Sequence, residues 1–177
     1  MEKLVFDTSA ILNCGKRGEL DFLLERLAEG HSLLTTPEVE SELLDPENRV
    51  YYQAFLRKHF KLQEVKSVKI DFRELQHLAA ILGKGELSVL LLAMEQNSVA
   101  VLDEKTARGE AERLKIRVMG TLGILARSIE RKWCTDHQCV KIVVRLHNSG
   151  FRIRRPEANE TFVKYFASMG KQSRAWE

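Results

Sequence analysis

Lys3-Leu-Val-Phe-Asp-Thr-Ser-Ala10 is the stretch on which the fold of this chain turns. Leu4, Val5 and Phe6 make an unbroken apolar run of the kind that suits a strand buried on both faces, and Asp7 falls where such a strand runs out at its carboxyl end. Ligands of open α/β sheets bind in the crevice beyond those ends. Taken alone, Asp7 or Thr8 is a cap for a helix beginning near Ser9. Its company argues for more. Glu42, Glu86 and Asp103 each stand at a similar strand-to-helix junction or early in a helix, so one parallel sheet would bring all four acids to one end.

Outward from that stretch the pattern alternates. Leu20, Leu23, Leu24 and Leu27 recur at i, i+3, i+4 and i+7, predicting a helix over 18–29 that Gly30 ends. Residues 32–36 are a second strand running into Pro37, with Thr36 as the cap of the next helix. On that helix Val39 and Leu43 face the core, and Glu38 and Glu42 lie one turn apart on a neighbouring face. Glu38 sits near the positive end of the helix dipole, whereas Glu42 is too far in to gain from it and is the better candidate for chemistry. Residues 45–60 are predicted helical, with Tyr51, Phe55 and His59 on one side as decoration near the mouth of the site. Residues 62–70 form an extended link with a short strand. A capped helix over 71–82 turns Leu75, Leu78, Ala79 and Leu82 inward.

Gly83-Lys-Gly-Glu86 is a turn into a helix that is apolar nearly all round and therefore central, with Glu86 in its first turn as a dipole-complementing acid or as something more. Residues 98–102 are a buried strand ending at Asp103-Glu104, 106–114 a helix and 116–119 a last strand. Gly120-Thr121 then caps a helix over 122–129. Strands alternating with helices at this spacing predict βαβ units, a parallel sheet and helices on both of its faces.

A chain of 177 residues that is 44% hydrophobic can bury one core, with decoration at an end. The core domain is expected over 1–131. Residues 132–177 form an extension of two amphipathic helices, 139–146 and 160–169, joined through Ser149–Pro156 and folded over the core or against a second copy; 170–177 look like a frayed tail. No apolar run approaches the ~20 residues that span a bilayer, and no cationic leader precedes Leu4, so a cytoplasmic protein without membrane contact is expected. Cys14, Cys134 and Cys139 are an odd count without CxxC spacing, in keeping with thiols in a reducing compartment. A zinc site on Cys134, His137 and Cys139 would want a fourth well-spaced ligand that is missing.

The charges divide by position. Residues 1–104 carry 12 Lys and Arg against 18 Asp and Glu, a net −6, and residues 105–177 carry 16 against 7, a net +9. Acids lining a pocket with basic groups around its mouth would hold a cation inside and a polyanion across the opening. Solvated basic helix faces account for the second half equally well.

Four carboxylates meeting at one place push one another's pKa upward unless a cation joins them. All-oxygen ligation without His or Cys favours Mg²⁺ or Mn²⁺ over zinc. Such an ion activates water and stabilises the leaving oxygen of a phosphodiester, which is nuclease chemistry.

These same residues resemble the PIN-domain ribonucleases, a family that includes the toxins of toxin–antitoxin pairs. The resemblance is carried by Leu4-Val-Phe-Asp7-Thr-Ser9, by Thr36-Pro-Glu-Val-Glu-Ser-Glu42-Leu43, by Gly85-Glu86 with Ala93, by Val101-Leu-Asp103-Glu104 with Arg108 and Ala111, and by Val118-Met-Gly-Thr121-Leu-Gly-Ile-Leu125; it spans about residues 3–130. Gly150-Phe-Arg-Ile153 after a helix is similar to a subgroup with a helical C-terminal extension.

What the resemblance implies is a three-layer αβα sandwich and a metal-dependent endoribonuclease, with Mg²⁺ or Mn²⁺ held by Asp7, Glu42, Glu86 and Asp103 or Glu104. The chain has Asp103-Glu104 where many members carry two aspartates, so the fourth acid stays open between them. Thr8, Ser9 and Thr121 fall where the family places hydroxyls around the metal or its waters. RNA is the expected substrate, a small antitoxin protein and a second copy of the chain the expected partners. Arg108, Lys115, Arg152, Arg154 and Arg155 are the candidates for phosphate contact. A haloacid-dehalogenase-type phosphatase needs a second Asp where Ser9 stands. A silent PIN-like scaffold and a flap-type DNA nuclease are the alternatives that remain.

Overall fold

The computed structural model describes residues 1–168, so the predicted frayed tail and the last residue of the second extension helix lie outside the described residues. The first strand, β1 (Glu2–Phe6), stops at Asp7, which caps the short helix α1 (Thr8–Leu12) by accepting the Ala10 N–H. That helix widens into a π-type turn over Asn13–Arg17, kinked at Gly15 (φ −80°, ψ −124°). There follow α2 (Asp21–Ala28), β2 (His31–Thr35), α3 (Pro37–Leu43), α4 (Arg49–His59) and β3 (Lys61–Leu62). The chain continues through α5 (Phe72–Ile81), α6 (Lys84–Gln96), β4 (Val99–Val101), α7 (Lys105–Arg113) and β5 (Arg117–Met119). It ends in α8 (Thr121–Glu130), α9 (Asp136–Asn148) and α10 (Phe162–Ser168).

All strand pairs are parallel, in the order β3-β2-β1-β4-β5, with Leu4 opposite both Leu33 and Val99. Leu4, Val5 and Phe6 are each fully buried although successive side chains of a strand point to opposite faces, so helices cover both sides of the sheet in an αβα sandwich. Strands are added outward from β1 in one direction as far as β3, and the chain then crosses to lay β4 and β5 on the other side. The crevice of such a sheet opens where the order reverses, here between the carboxyl ends of β1 and β4. One further bond, Asp7 N–H to Val101 O at 3.1 Å, carries that ladder a residue past β1 and holds Asp7 beside the end of β4.

Three helical segments differ from expectation. The second helix starts at Asp21 because residues 18–20 complete the kinked turn, although Leu20 remains fully buried. Residues 45–48 form a turn in which Asp45 accepts the Asn48 N–H at 2.8 Å, so α4 begins at Arg49 and its buried face is Tyr52, Phe55 and Leu56, with Tyr51 only half-buried. Helix α5 lies against α6 outside the sheet, which leaves room for a narrow contact: Leu78 and Leu82 are buried, Leu75 is half-buried, and Ala79 is exposed. In the extension, α9 and α10 pack on α8 and on each other. Helix α9 also reaches the kinked turn, where Arg145 donates to Gly18 O at 3.1 Å and pairs with Glu19 at 2.7 Å. Cys134 and Cys139 are buried thiols, and His137 is exposed away from the core. Among the described residues, no helix is long and apolar enough to cross a membrane.

Candidate active site

Asp7 is 1% exposed. Its Oδ1 accepts the Ala10 N–H at 2.8 Å and its Oδ2 accepts the Ser9 hydroxyl at 2.9 Å, so the helix-capping reading is correct as far as it goes. The capping bonds do not neutralise it. Burial, and then the neighbouring Asp103, push its pKa from 3.8 to about 8, with a smaller push from Glu86 that the two hydrogen bonds only partly offset.

Asp103 stands just past β4 and takes three donors: Thr121 N–H on Oδ1 at 2.8 Å, and Thr121 Oγ1 at 2.5 Å and Asn13 Nδ2 at 2.8 Å on Oδ2. Thr121 is the first residue of α8, so its amide is one of the unpaired N–H groups that a helix start offers an anion. Gly120 makes the approach possible: a Cβ there would lie 2.8 Å from Asp103 Oδ1 and 2.8 Å from an Arg108 Nη. Glu104 shares none of these hydrogen bonds. It is exposed at the start of α7 and makes no capping bond.

Glu42 is drawn to the same end of the sheet from α3. Its Oε1 accepts Gly85 N–H at 2.8 Å and its Oε2 accepts the Thr8 hydroxyl. A Cβ at residue 85 would come within 2.5 Å of this carboxylate, so in Gly85-Glu86 the glycine serves Glu42. Glu86 itself turns back on the start of α6, where Oε2 accepts Gly83 N–H at 2.9 Å. Thr8, Ser9 and Thr121 thus each donate to one of the candidate acids. As the side chains stand, no three acids, imidazoles or thiols among the described residues lie close enough to grip a metal ion. Asp103 is the acid whose charge acts most strongly on Asp7, with Glu86 acting less, while Glu42 and Glu86 are each bound to a backbone amide.

A family model described as DUF3368, PIN domain, matches residues 3–165, which includes the αβα core, the four acids and nearly all of the extension. The chain belongs to the PIN-domain family. Members of that family are in general nucleases. Among solved structures, the chain is similar to a PilT N-terminus domain protein from Sulfolobus solfataricus P2, with 16% identity, 72% of this chain and 94% of that one covered and a TM-score of 0.49. It is also similar to VapBC2 from Rickettsia felis, determined bound to a DNA fragment from its promoter, with 15% identity, 67% and 98% coverage and a TM-score of 0.49. No curated protein matches by sequence.

The candidate phosphate contacts of this PIN domain separate in space. Arg108 is at the site: its Nη1 donates to Leu102 O at 3.1 Å, next to Asp103. Lys115 is not, because it precedes β5 and so lies at the amino end of the sheet, away from the acids. Arg154 is engaged inside the extension. It forms a bidentate pair with Glu160 at 2.7 and 3.0 Å, donates to Ser168 at 2.9 Å and lies 4.8 Å from the Tyr165 ring centroid, a strut joining the 151–161 loop to α10. Arg152 and Arg155 are exposed on the same loop.

One site residue has no counterpart in the sequence reading. Asn13 is fully buried, yet its carboxamide links Asp103 to Arg17, whose Nη1 donates to Asn13 Oδ1 at 3.3 Å. The available signal was a polar residue six positions after Asp7, within the otherwise apolar Ala10-Ile-Leu-Asn-Cys14.

Proposed function

We propose that this PIN domain is a metal-dependent endoribonuclease that hydrolyses RNA phosphodiester bonds with Mg²⁺ or Mn²⁺. The observation that carries the reading is Asp7: a buried carboxylate beside a second one, raised to about 8, with no cationic side chain paired to either among the described residues. A fold keeps such an arrangement at a cost in stability, and clusters of perturbed acids in a sheet crevice mark functional sites.

The donors present fit a hard divalent cation, since every candidate ligand is a carboxylate or hydroxyl oxygen and the excess negative charge is what such an ion would neutralise. Asp7 and Asp103 are the pair that would hold it, with Glu42 and Glu86 alongside. When bound, the ion would supply Lewis acidity for an attacking water and charge stabilisation at the leaving oxygen. The rest belongs to the chain. Thr121 and Asn13 fix the Asp103 carboxylate, Ser9 and the Ala10 amide fix Asp7, and Arg108 offers a guanidinium to a substrate phosphate beside Asp103. In the proposed hydrolysis the water oxygen bonds to phosphorus, the bond to O3′ breaks, and O3′ takes up a proton, leaving 5′-phosphate and 3′-hydroxyl ends.

The setting is part of the same proposal, supported by family membership: a toxin held in check by a small antitoxin protein, acting as a homodimer. Labelled RNA incubated with pure protein and Mn²⁺, with and without EDTA, tests the catalytic reading. Cleavage that survives both EDTA and Asp7→Asn overturns it.

A further inference from the structure

We propose that Arg17, Lys16 and Tyr51 form a subsite for the single-stranded RNA next to the bond being cut, Arg17 and Lys16 on its phosphates and Tyr51 under one base; this rests on the nuclease reading above. The subsite is built by the kinked turn. Asn13 and Arg17 are four residues apart and so share a face of the turn, and the buried Asn13 amide holds the guanidinium one side chain away from Asp103 without letting it neutralise that acid. A phosphate brought beside Asp103 by a cation held there would therefore have the Arg17 guanidinium within reach from the kinked turn, in addition to Arg108.

Among the described residues Arg17 and Lys16 form no ion pair: Arg17 bonds the Asn13 amide oxygen, and Lys16 bonds that of Asn48. Of the acids nearby, Glu19 pairs with Arg145 at 2.7 Å, and Asp21 with His59 at 3.0 Å and Lys58 at 3.2 Å; Asp45, bound to Asn48, lies near Lys16 without an ion pair to it. A half-buried arginine and an exposed lysine, neither in an ion pair, at the rim of an acid pair suit a polyanion that must approach that pair.

The aromatic part adjoins directly. Gly15 lets the turn press on α4, since a Cβ there would be 3.0 Å from Tyr52 Cε1 and 3.4 Å from Tyr51 Cε1. Tyr52 is core. Tyr51 is half-buried, stacked on Phe55 at 5.7 Å with 17° between the rings, and Lys16 Nζ lies 5.1 Å from its centroid. An exposed lysine over a ring is held more weakly than a stacked base, so a base can take the ring while the ammonium moves to the adjoining phosphate. One aromatic platform beside two cations reads an unstacked base, which a single strand offers and a duplex hides.

Binding of a fluorescein-labelled single-stranded RNA by anisotropy in EDTA, over a series of KCl concentrations, tests this beside cleavage in Mn²⁺. Arg17→Gln and Lys16→Gln should each flatten the slope of log affinity against log salt by about 0.7. Tyr51→Ala should weaken binding by about 5- to 150-fold with an unchanged slope, and Tyr51→Phe should restore it. Variants that lose affinity through Arg17 with the slope intact, or that match the wild type throughout while the wild type cleaves RNA, overturn the subsite and leave the nuclease reading standing. A wild type that neither binds nor cleaves RNA overturns the nuclease reading, and the subsite with it.

Discussion

The two ends of the sheet carry charge in opposite ways. At the amino end, Glu2 pairs with Arg117 at 2.6 Å near solvent and lies 3.4 Å from the buried His31, and Arg26 pairs with Glu29 at 2.9 Å on the wall of a cavity also lined by Arg131 and Trp133. At the carboxyl end, Asp7 and Asp103 face each other with hydroxyls and amides for company and no cation paired to them among the described residues. Neutralised pairs near solvent contribute little to stability or chemistry, whereas a buried acid beside a half-buried one, with no cation paired to either among the described residues, destabilises the fold and is poised to take up a cation. Charge density alone therefore does not locate a site; uncompensated, desolvated charge does.

The largest effect expected of that contrast is on activity. Asp7→Asn or Asp103→Asn should lower RNA cleavage in Mn²⁺ by at least on the order of 10²–10³-fold, the range seen when one electrostatic contributor to a transition state is removed. Initial rates on a labelled RNA check it. Retention of wild-type rates would place the chemistry elsewhere.

Next comes stability against pH without metal. Asp7 has a folded-state pKa of about 8 against 3.8 for an ordinary Asp. Between those values the native state holds a proton that the unfolded chain has released, so stability falls as pH rises, by at most about 1.4 kcal/mol per pH unit, and levels off above pH ~8. Asp7→Asn should remove this slope and raise the melting temperature near pH 8 in EDTA by the few degrees that ~1 kcal/mol is worth in a domain of this size. It should also abolish the extra stabilisation that Mn²⁺ gives the wild type by binding only the native state. If Asp7 were only a cap, Asn would replace it with little change. Thermal melts from pH 4 to 9, with and without Mn²⁺, distinguish the two.

Gly85→Ala sharpens the comparison by displacing an acid without neutralising it. The new methyl would sit 2.5 Å from Glu42 Oε2, the end of a flexible side chain on an exposed residue, so Glu42 moves and the fold gives up about 1 kcal/mol or less while cleavage falls several-fold. Gly30→Ala, with nothing near its Cβ, is the control expected to lie within about 0.5 kcal/mol of the wild type in a denaturant melt.

The smallest effect belongs to the amino end. Arg117→Ala removes a solvent-exposed ion pair and should cost about 0–1 kcal/mol, with cleavage unchanged. A loss of activity there would mean that the two ends of the sheet are coupled, and the contrast between them would fail.

Much of this molecule follows from local pattern. The apolar runs at 4–6 and 98–102 become central strands, the leucines of α2 become its buried face, and Thr36-Pro37 starts a helix, because burial on both sheet faces, the 3.6-residue repeat and the fixed φ of proline each act within a few residues. The same locality explains the errors. Whether residues 45–48 form a turn or the first turn of a helix depends on the bonds between Asp45 and Asn48, and whether Ala79 is covered depends on how far α5 stands from the sheet. In the site, sequence determined which acids stand near strand ends. Only the tertiary structure decided which of them meet. Asp7 and Asp103 converge because β1 and β4 are neighbours across the point where strand order reverses, and Asn13 joins them because the kinked turn folds over that point. Arg154 is turned inward by Glu160 and Tyr165, and Lys115 is carried to the far end by the direction of β5. Pairing between residues some 90 positions apart leaves no periodic trace in a single chain, and a side chain's charge state depends on burial that exists only once the whole core has closed.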